Sequence, residues 1–376
     1  MRVALIAETF LPQINGVSNS VLRVLEHLRA TGHDALVICA DDPKGVPGSY
    51  LGFPVETTGS VTLPFYPDFR LSTTNSVVIE RILADYQPDV VHLASPFALG
   101  YHGMHAAARL GLPTVAIYQT DMPAYVAQYG FPAGEAIVWR YLRRLHNMAT
   151  TNLAPSTAAQ EALIEQGIAR VGIWARGVDT ARFHPGKRSQ ALHDQWAPNG
   201  ERVIGYMGRL GAEKQVDDLA VLADVPNTRL VIIGGGPEQE DLSQQLPQAL
   251  FTGMLKGEEL AVSLASLDLF VHPGEFETFG QAIQEALASG LPVIAPRKGG
   301  PIDLVRPSHT GWLYEPGDLK AMHDHVRDLI GDDAKRAAFS RAARDSVRER
   351  TWPAICAQLV QQYQAAIELG VRLPQG

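Results

Sequence analysis

Short apolar runs that end at Gly, Ser or Pro recur along the chain, and each is followed by a segment whose apolar positions repeat about every 3.6 residues. Val3–Ala7 precedes Val17–Leu28, Val90–Ala94 precedes Tyr101–Leu110, and Val203–Met207 precedes Val216–Leu222. This alternation predicts βα units and a doubly wound parallel sheet. In the first helical segment Val17, Val21, Val24, Leu25 and Leu28 fall on one stripe, with Asn15-Gly16 at the entry and Gly32 just past the end. A second series runs through Val203–Gly208, Leu230–Gly235, Leu269–Pro273 and Pro292–Pro296, and the chain closes in helical patterns that include Trp352 to Leu369.

Between the two series, from Ala175 to about Gly200, the chain turns polar and turn-rich. The expected organisation is an N-terminal domain over 1–180, a linker over 181–200, a C-terminal domain over 201–350, and a helix over 351–376 that crosses back to the N-terminal domain. The 376 residues agree with this division, at roughly 150 per domain. Two Rossmann-like halves predict a cleft with ligands at the carboxyl ends of the strands.

Composition narrows the function classes. Hydrophobic residues make up 46% and charged residues 19%, an ordinary globular balance that excludes a disordered chain. The net charge of −8 leaves no basic field to attract nucleic acid. Cys39 and Cys356 stand far apart, which suggests neither a disulfide framework nor a zinc site and fits a reducing cytosol. The apolar start meets Glu8 after five residues, short of the roughly 7–15 of a signal peptide. No run approaches the roughly 18 residues of a membrane span, so a membrane would be met only at its surface.

Three stretches carry candidate chemistry. In Gly274-Glu275-Phe276-Glu277-Thr278-Phe279-Gly280 and the following segment, Glu277 and Glu285 are eight apart. Glu277 is expected in a loop and Glu285 two turns into a helix. Ionised carboxylates so placed suit hydroxyl-rich ligands, although the same spacing also fits two solvated glutamates. Gly208-Arg209-Leu210-Gly211-Ala212-Glu213-Lys214 follows a strand and opens a helix. Backbone amides with an Arg fork and a Lys point charge there make a phosphate or diphosphate site. The glycine of Asn15-Gly16-Val17-Ser18 lets backbone approach a ligand, a weak signal alone. Gly234-Gly235-Gly236-Pro237 reads as a structural turn. His102 and His105 have no third ligand nearby, so a metal-free mechanism is the default. Along 137–148, Ile137, Val138, Tyr141, Leu142, Leu145 and Met148 span one side of a helix. Arg140, Arg143, Arg144 and Asn147 span the other with Trp139 beside them. That basic face fits anionic headgroups or a plain solvated surface.

Together these residues resemble the family 4 glycosyltransferases of the GT-B fold over nearly the whole chain. The likeness rests on Asn15-Gly16-Val17-Ser18, Thr31-Gly32-His33, Ala154-Pro155-Ser156, Gly177-Val178-Asp179 with Phe183-His184-Pro185, Arg209 with Lys214, and the Glu277 to Glu285 segment running into Ala288–Ile294. Within the family the chain is similar to bacterial GDP-mannose-dependent α-mannosyltransferases that elongate membrane glycolipids. Met1 through Glu8, Tyr118-Gln119-Thr120-Asp121, Trp174–Asp179 and His272 with Gly274-Glu275 carry that finer likeness. The resemblance implies retaining transfer from a nucleotide-diphosphate sugar without a metal or other cofactor. Arg209 and Lys214 would bind the diphosphate, Glu277 with Thr278, Phe279 and Gly280 the donor sugar, and Glu285 the ribose. Gly16 would approach the diphosphate, and Gly253 and Met254 would meet the base. Where many relatives carry His, this chain has Gln119, which cannot exchange a proton near neutral pH.

The resulting expectation is a peripheral enzyme at the cytosolic face of the plasma membrane. It would move mannose from GDP-mannose to a glycolipid or phosphatidylinositol mannoside acceptor in cell-envelope synthesis. Trp139, Arg140, Arg143 and Arg144 would meet the anionic surface. A UDP-sugar-dependent lipid glycosyltransferase of sulfoquinovosyl or glucosyl type, an NDP-sugar epimerase and a non-catalytic nucleotide-sugar binder remain alternatives.

Overall fold

A computed structural model of the chain describes residues 1–63, 66–94, 96–121, 123 and 132–372. It divides into two compact units, Met1–Ala175 with Pro353–Gly376, and Arg176–Trp352.

The first unit is built on β1 (Arg2–Ala7), β2 (Asp34–Ala40), β3 (Ser49–Tyr50), β4 (Phe53–Thr58), β5 (Ser60–Leu63), β6 (Tyr66–Ser72), β7 (Val90–Ala94), β8 (Thr114–Ile117), β9 (Thr151–Ala154) and β10 (Val171–Ile173). Eight of these form one sheet in the order β10-β9-β8-β7-β1-β2-β4-β3, while β5 and β6 pair as a separate antiparallel ribbon. All neighbours in the large sheet run parallel except β3 with β4. Helices cover both faces of a parallel sheet, so β1 and β7 read as unbroken apolar runs and are buried along almost their whole length.

The helix Gly16–Ala30 shows how sequence fixes a boundary here. The Asn15 side chain accepts from the backbone of Val17 and Ser18, and the Ser18 hydroxyl accepts from Asn15 N, closing a reciprocal cap. Val21, Val24, Leu25 and Leu28 form its buried stripe. From Pro353 onward the last helix packs in this unit. Trp174 Nε1 donates to Ile355 O at 2.9 Å, and the Tyr363 hydroxyl meets His92 Nδ1 at 2.5 Å.

The second unit carries β11 (Arg202–Met207), β12 (Thr228–Ile233), β13 (Leu250–Gly253), β14 (Leu269–Val271), β15 (Val293–Pro296) and β16 (Gly311–Tyr314), all parallel, in the order β13-β12-β11-β14-β15-β16. The order reverses at β11, so the loops after β11 and β14 open side by side at the carboxyl edge.

Two local expectations change. Residues 181–200, expected as a linker, lie inside the second unit. Phe183 and Trp196 are buried, and Asp268 accepts from Arg188 Nη2 at 2.8 Å and lies 2.9 Å from His193 Nε2, so aromatic anchors and a shared carboxylate fix the segment. The stretch Val216–Leu222, expected to be an α-helix, is a 3₁₀ run. Its buried positions Val216, Leu219 and Leu222 are three apart, which a three-residue turn stacks on one line.

Candidate functional site

Four strand-end loops of the second unit make up a polar surface. After β11, Tyr206 OH donates to Arg209 O at 3.1 Å and Leu210 N donates to Gly235 O at 3.0 Å, so the Arg209 loop lies against the glycine loop after β12. A Cβ at Gly234 would overlap the Gly208 carbonyl oxygen, so the glycine triplet serves close packing of two loops, as a structural turn should. Gly234 N also donates to Gly253 O at 3.0 Å, which brings in the loop after β13. Gly253 has φ of 74° and open space around it, and the Met254 side chain beyond it is 68% exposed.

The expected helix after Arg209 is a single 3₁₀ turn, Ala212–Lys214, ended by Gln215 in the left-handed region. One turn aligns few peptide dipoles, so side-chain cations rather than a helix terminus supply the positive charge here. Arg209 Nη1 donates to Glu213 Oε1 at 3.0 Å and remains 46% exposed on its side chain. Lys214 Nζ donates to Glu277 Oε2 at 2.8 Å.

Glu277 reaches Lys214 from the loop after β14. Its Oε1 accepts from Gly280 N at 3.2 Å, and its backbone carbonyl accepts from Gly300 N at 2.8 Å. Gly299, with φ of 65°, passes so close that a Cβ would overlap the same carbonyl oxygen. His272 stacks on Tyr206 and places Nε2 3.6 Å from Glu277 Oε2. Burial by itself would raise the Glu277 carboxyl. The Lys214 ammonium, His272 and the Arg176 guanidinium outweigh burial and hold it down at about 2, so it is ionised throughout the neutral range. His272 is pushed down to about 4 by burial, against the pull of Glu277, and is neutral there.

Thr278 lies in the same loop and Phe279 is buried beneath it, while Gly280 takes φ of 94° where the helix Gln281–Ala288 begins. Glu285 is four residues into that helix, just over one turn rather than the expected two. Gln281 Nε2 donates to its Oε1 at 3.1 Å. Burial pushes the Glu285 carboxyl up to about 7, against the Gln281 hydrogen bond and the charge of Arg182.

The structure thus gathers Arg209, Lys214 and Glu277 on the adjacent β11 and β14 edges, with Gly253 and Met254 on the neighbouring loop. It also adds His272 and Arg176, which spacing arguments did not single out as site residues. Their signal was position: His272 directly follows β14, and Arg176 directly precedes Gly177-Val178-Asp179. Among the described residues no three His, Cys, Asp or Glu side chains converge as metal ligands.

Gly16 and Gln119 belong to the first unit. Gly16 is exposed at the first position of its helix, and Gln119 is buried just beyond β8. In the helix Pro132–Met148, Arg140, Arg143 and Arg144 are exposed as expected. The apolar side is narrower than the periodicity implied, because Ile137 is 70% exposed and Met148 lies at the surface. Trp139 is half-buried and stacks on Tyr118 rather than standing free beside the arginines. Its ring finds an apolar partner inside the unit, and Ile137 and Met148 are the apolar side chains that reach solvent. No helix among the described residues is long and apolar enough to cross a membrane.

Comparison with known proteins places the chain in a family and a fold. Residues 14–182 match the family described as Glycosyltransferase Family 4, and residues 189–346 match Glycosyl transferases group 1. The chain is 47% identical to a GDP-mannose-dependent alpha-mannosyltransferase of Corynebacterium glutamicum, covering 100% of this chain and 91% of that protein. It is 49% identical to a GDP-mannose-dependent alpha-mannosyltransferase of Mycobacterium tuberculosis, covering 97% of each. The crystal structure of Anabaena HepE in complex with UDP and glucose superposes with a TM-score of 0.77 at 22% identity, covering 97% of this chain and 100% of that one. Two parallel α/β units of this kind are the GT-B architecture.

The Glu285 shift predicts a pH effect with a defined sign. A carboxyl raised by folding favours the folded state while protonated, a contribution complete below its ordinary 4.5 and lost as pH rises through about 7. Glu285→Gln, which cannot ionise, should therefore raise the melting temperature relative to the parent more at pH 8 than at pH 5. Equal differences at both pH values would show that Glu285 does not titrate in this window.

Proposed function

This chain belongs to glycosyltransferase family 4, and from that premise we propose that it transfers mannose from GDP-mannose, with retention at the anomeric carbon, to a glycolipid acceptor at a membrane surface. The observation that carries the reading is nearly full-length identity of 47% and 49% to proteins named for GDP-mannose-dependent mannosyl transfer. It favours that donor over the UDP-sugar alternative and over an epimerase or a silent binder. A phosphatidylinositol mannoside or related glycolipid of the cell envelope is the acceptor class we favour.

In this reading the leaving GDP gains negative charge as the sugar–phosphate bond breaks, and Arg209 and Lys214 are the fixed cations that meet it. The charge is thus stabilised by side chains, without a metal ion. Glu277, ionised and held by Lys214 and Gly280 N, keeps lone pairs for hydroxyls of the mannose. Glu285 would take the ribose hydroxyls, and Gly253 and Met254 would border the guanine. Gly16 would approach the diphosphate. Gln119 would pair with a sugar hydroxyl without exchanging a proton. The exposed Arg140, Arg143 and Arg144, with Ile137, form a basic face that suits a peripheral contact with anionic headgroups on the cytosolic side.

Ligand-induced stabilisation tests the donor, since a ligand bound only by the folded state raises the melting temperature. GDP and GDP-mannose should stabilise the protein selectively over UDP, ADP and their hexose conjugates; a UDP preference would overturn the donor assignment. Arg209→Ala and Lys214→Ala should each lower kcat by about two orders of magnitude or more, with unchanged circular dichroism. Near-normal turnover in both would remove the diphosphate role. Reversing Arg140, Arg143 and Arg144 to Glu together should weaken sedimentation with anionic vesicles and leave GDP stabilisation intact. Unchanged vesicle binding would make that helix face a solvated surface only.

A further inference from the structure

The first sheet splits at β1, whose neighbours are β2 on one side and β7 on the other, and ligands of parallel sheets bind at the carboxyl ends where the order reverses. Glu8 is the first residue beyond β1 and is 5% exposed. Its Oε1 accepts from Phe97 N at 3.1 Å and from Gly100 N at 3.0 Å. These amides belong to the first turn of the helix Ala98–Arg109, whose capping residue Phe97 has no side-chain cap of its own. One carboxylate oxygen therefore completes the helix end.

The other oxygen, Oε2, is buried and has no hydrogen-bond partner. A buried acceptor left unsatisfied is costly, and capping explains only Oε1. A side chain that served the cap alone could be a Ser or Asp at the capping position itself. Here a carboxyl group, pushed up to about 7 by burial against the backbone hydrogen bonds of the helix end, arrives from the neighbouring strand and keeps one oxygen in excess. The polar neighbours are of the same kind: Thr9 follows in the chain and Gln119 lies at the end of β8, both buried at this edge of the sheet. Polar groups held at a switch point, one of them with an unused acceptor, suit a neutral ligand rich in hydroxyls.

We propose that Glu8 reads the sugar acceptor, with Oε2 taking a hydrogen bond from one hydroxyl of the acceptor's polyhydroxylated head group. The inference rests on the glycosyl-transfer reading above. It assigns Glu8 to acceptor binding in the first unit, separate from the donor cluster of Arg209, Lys214 and Glu277.

The test compares the parent with Glu8→Gln, whose amide carbonyl still accepts from Phe97 N and Gly100 N while its amide nitrogen cannot accept the ligand hydroxyl. Transfer from GDP-mannose is measured to octyl glucoside, octyl galactoside and octyl mannoside, and then to each monodeoxy form of the best of them. The expected result is a fall of about ten- to hundredfold in kcat/KM for the acceptor, with the KM for GDP-mannose, GDP stabilisation and the melting temperature held. One deoxy position should cost the parent heavily and the variant little. Equal deoxy penalties in both proteins, or unchanged acceptor kcat/KM, would overturn the inference while leaving the transfer reading intact. If Glu8→Gln melts below the assay temperature, the cycle is run on both proteins at a temperature below its melting point, with the same decisive outcomes. No transfer by the parent to any of the three acceptors would sink the transfer reading, and this inference with it.

Discussion

Lys214 and Glu277 come from loops after different strands, 63 positions apart in the chain, and meet at 2.8 Å with about a fifth of each side chain exposed. A carboxylate withdrawn that far from water needs a cation beside it, and the cation needs its counter-charge. Satisfying both requires β11 and β14 to be neighbours, which the strand order provides. The pair therefore links the topology of the second unit to its chemistry. His272 and Arg176 also lower the pKa of the same carboxylate, so Lys214 is not its sole support.

The surrounding loops are shaped to hold that pair in place. Gly299 lets the loop after β15 pass against the Glu277 carbonyl, and Gly300 N bonds to it, so the backbone of the acidic loop is clamped from behind. Gln215, just past Lys214, accepts from Glu275 N at 2.9 Å and ties the two loops a second time. The helix that follows is fixed in turn: Gln281 donates to Gly177 O and Gln284 donates to Arg176 O. The residue preceding Gly177-Val178-Asp179 is thereby bound to the helix that carries Glu285.

The first unit solves a different problem with the same architecture. Its strand ends present the uncharged Thr9 and Gln119 and the capping carboxyl of Glu8, pushed up to about 7 by burial, where the second unit presents the cations Arg209 and Lys214. On the proposed reading, that difference would suit a phosphate-bearing donor at the second unit and a hydroxyl-bearing acceptor at the first. The helix Pro132–Met148 turns a basic face outward. Its arginines face solvent because the buried side is filled by Leu142, Leu145 and His146, and Trp139 turns inward to Tyr118.

The sequence alone determined the fold class, because a parallel sheet covered by helices demands apolar strands and striped helices that any reader can count, as in Val3–Ala7 and the Val21–Leu28 stripe. It also marked Arg209, Lys214, Glu277 and Glu285 as candidate donor residues, since they lie in motifs with a family likeness. Only the tertiary structure decided that 181–200 is part of the second unit, because its anchors Phe183 and Trp196 and its partner Asp268 are distant in the chain. The same holds for the 3₁₀ path of Val216–Leu222, since apolar positions three apart suit either winding and the left-handed Gln215 sets the entry. Trp139 turned inward and Ile137 outward for a related reason: helical periodicity gives the angle of a side chain, whereas burial depends on whether a neighbouring element covers that angle. The protonation of Glu277 and Glu285 was beyond sequence altogether. Two glutamates eight residues apart were driven in opposite directions, one down to about 2 and one up to about 7, because one is surrounded by cations brought in from other loops and the other is mainly desolvated.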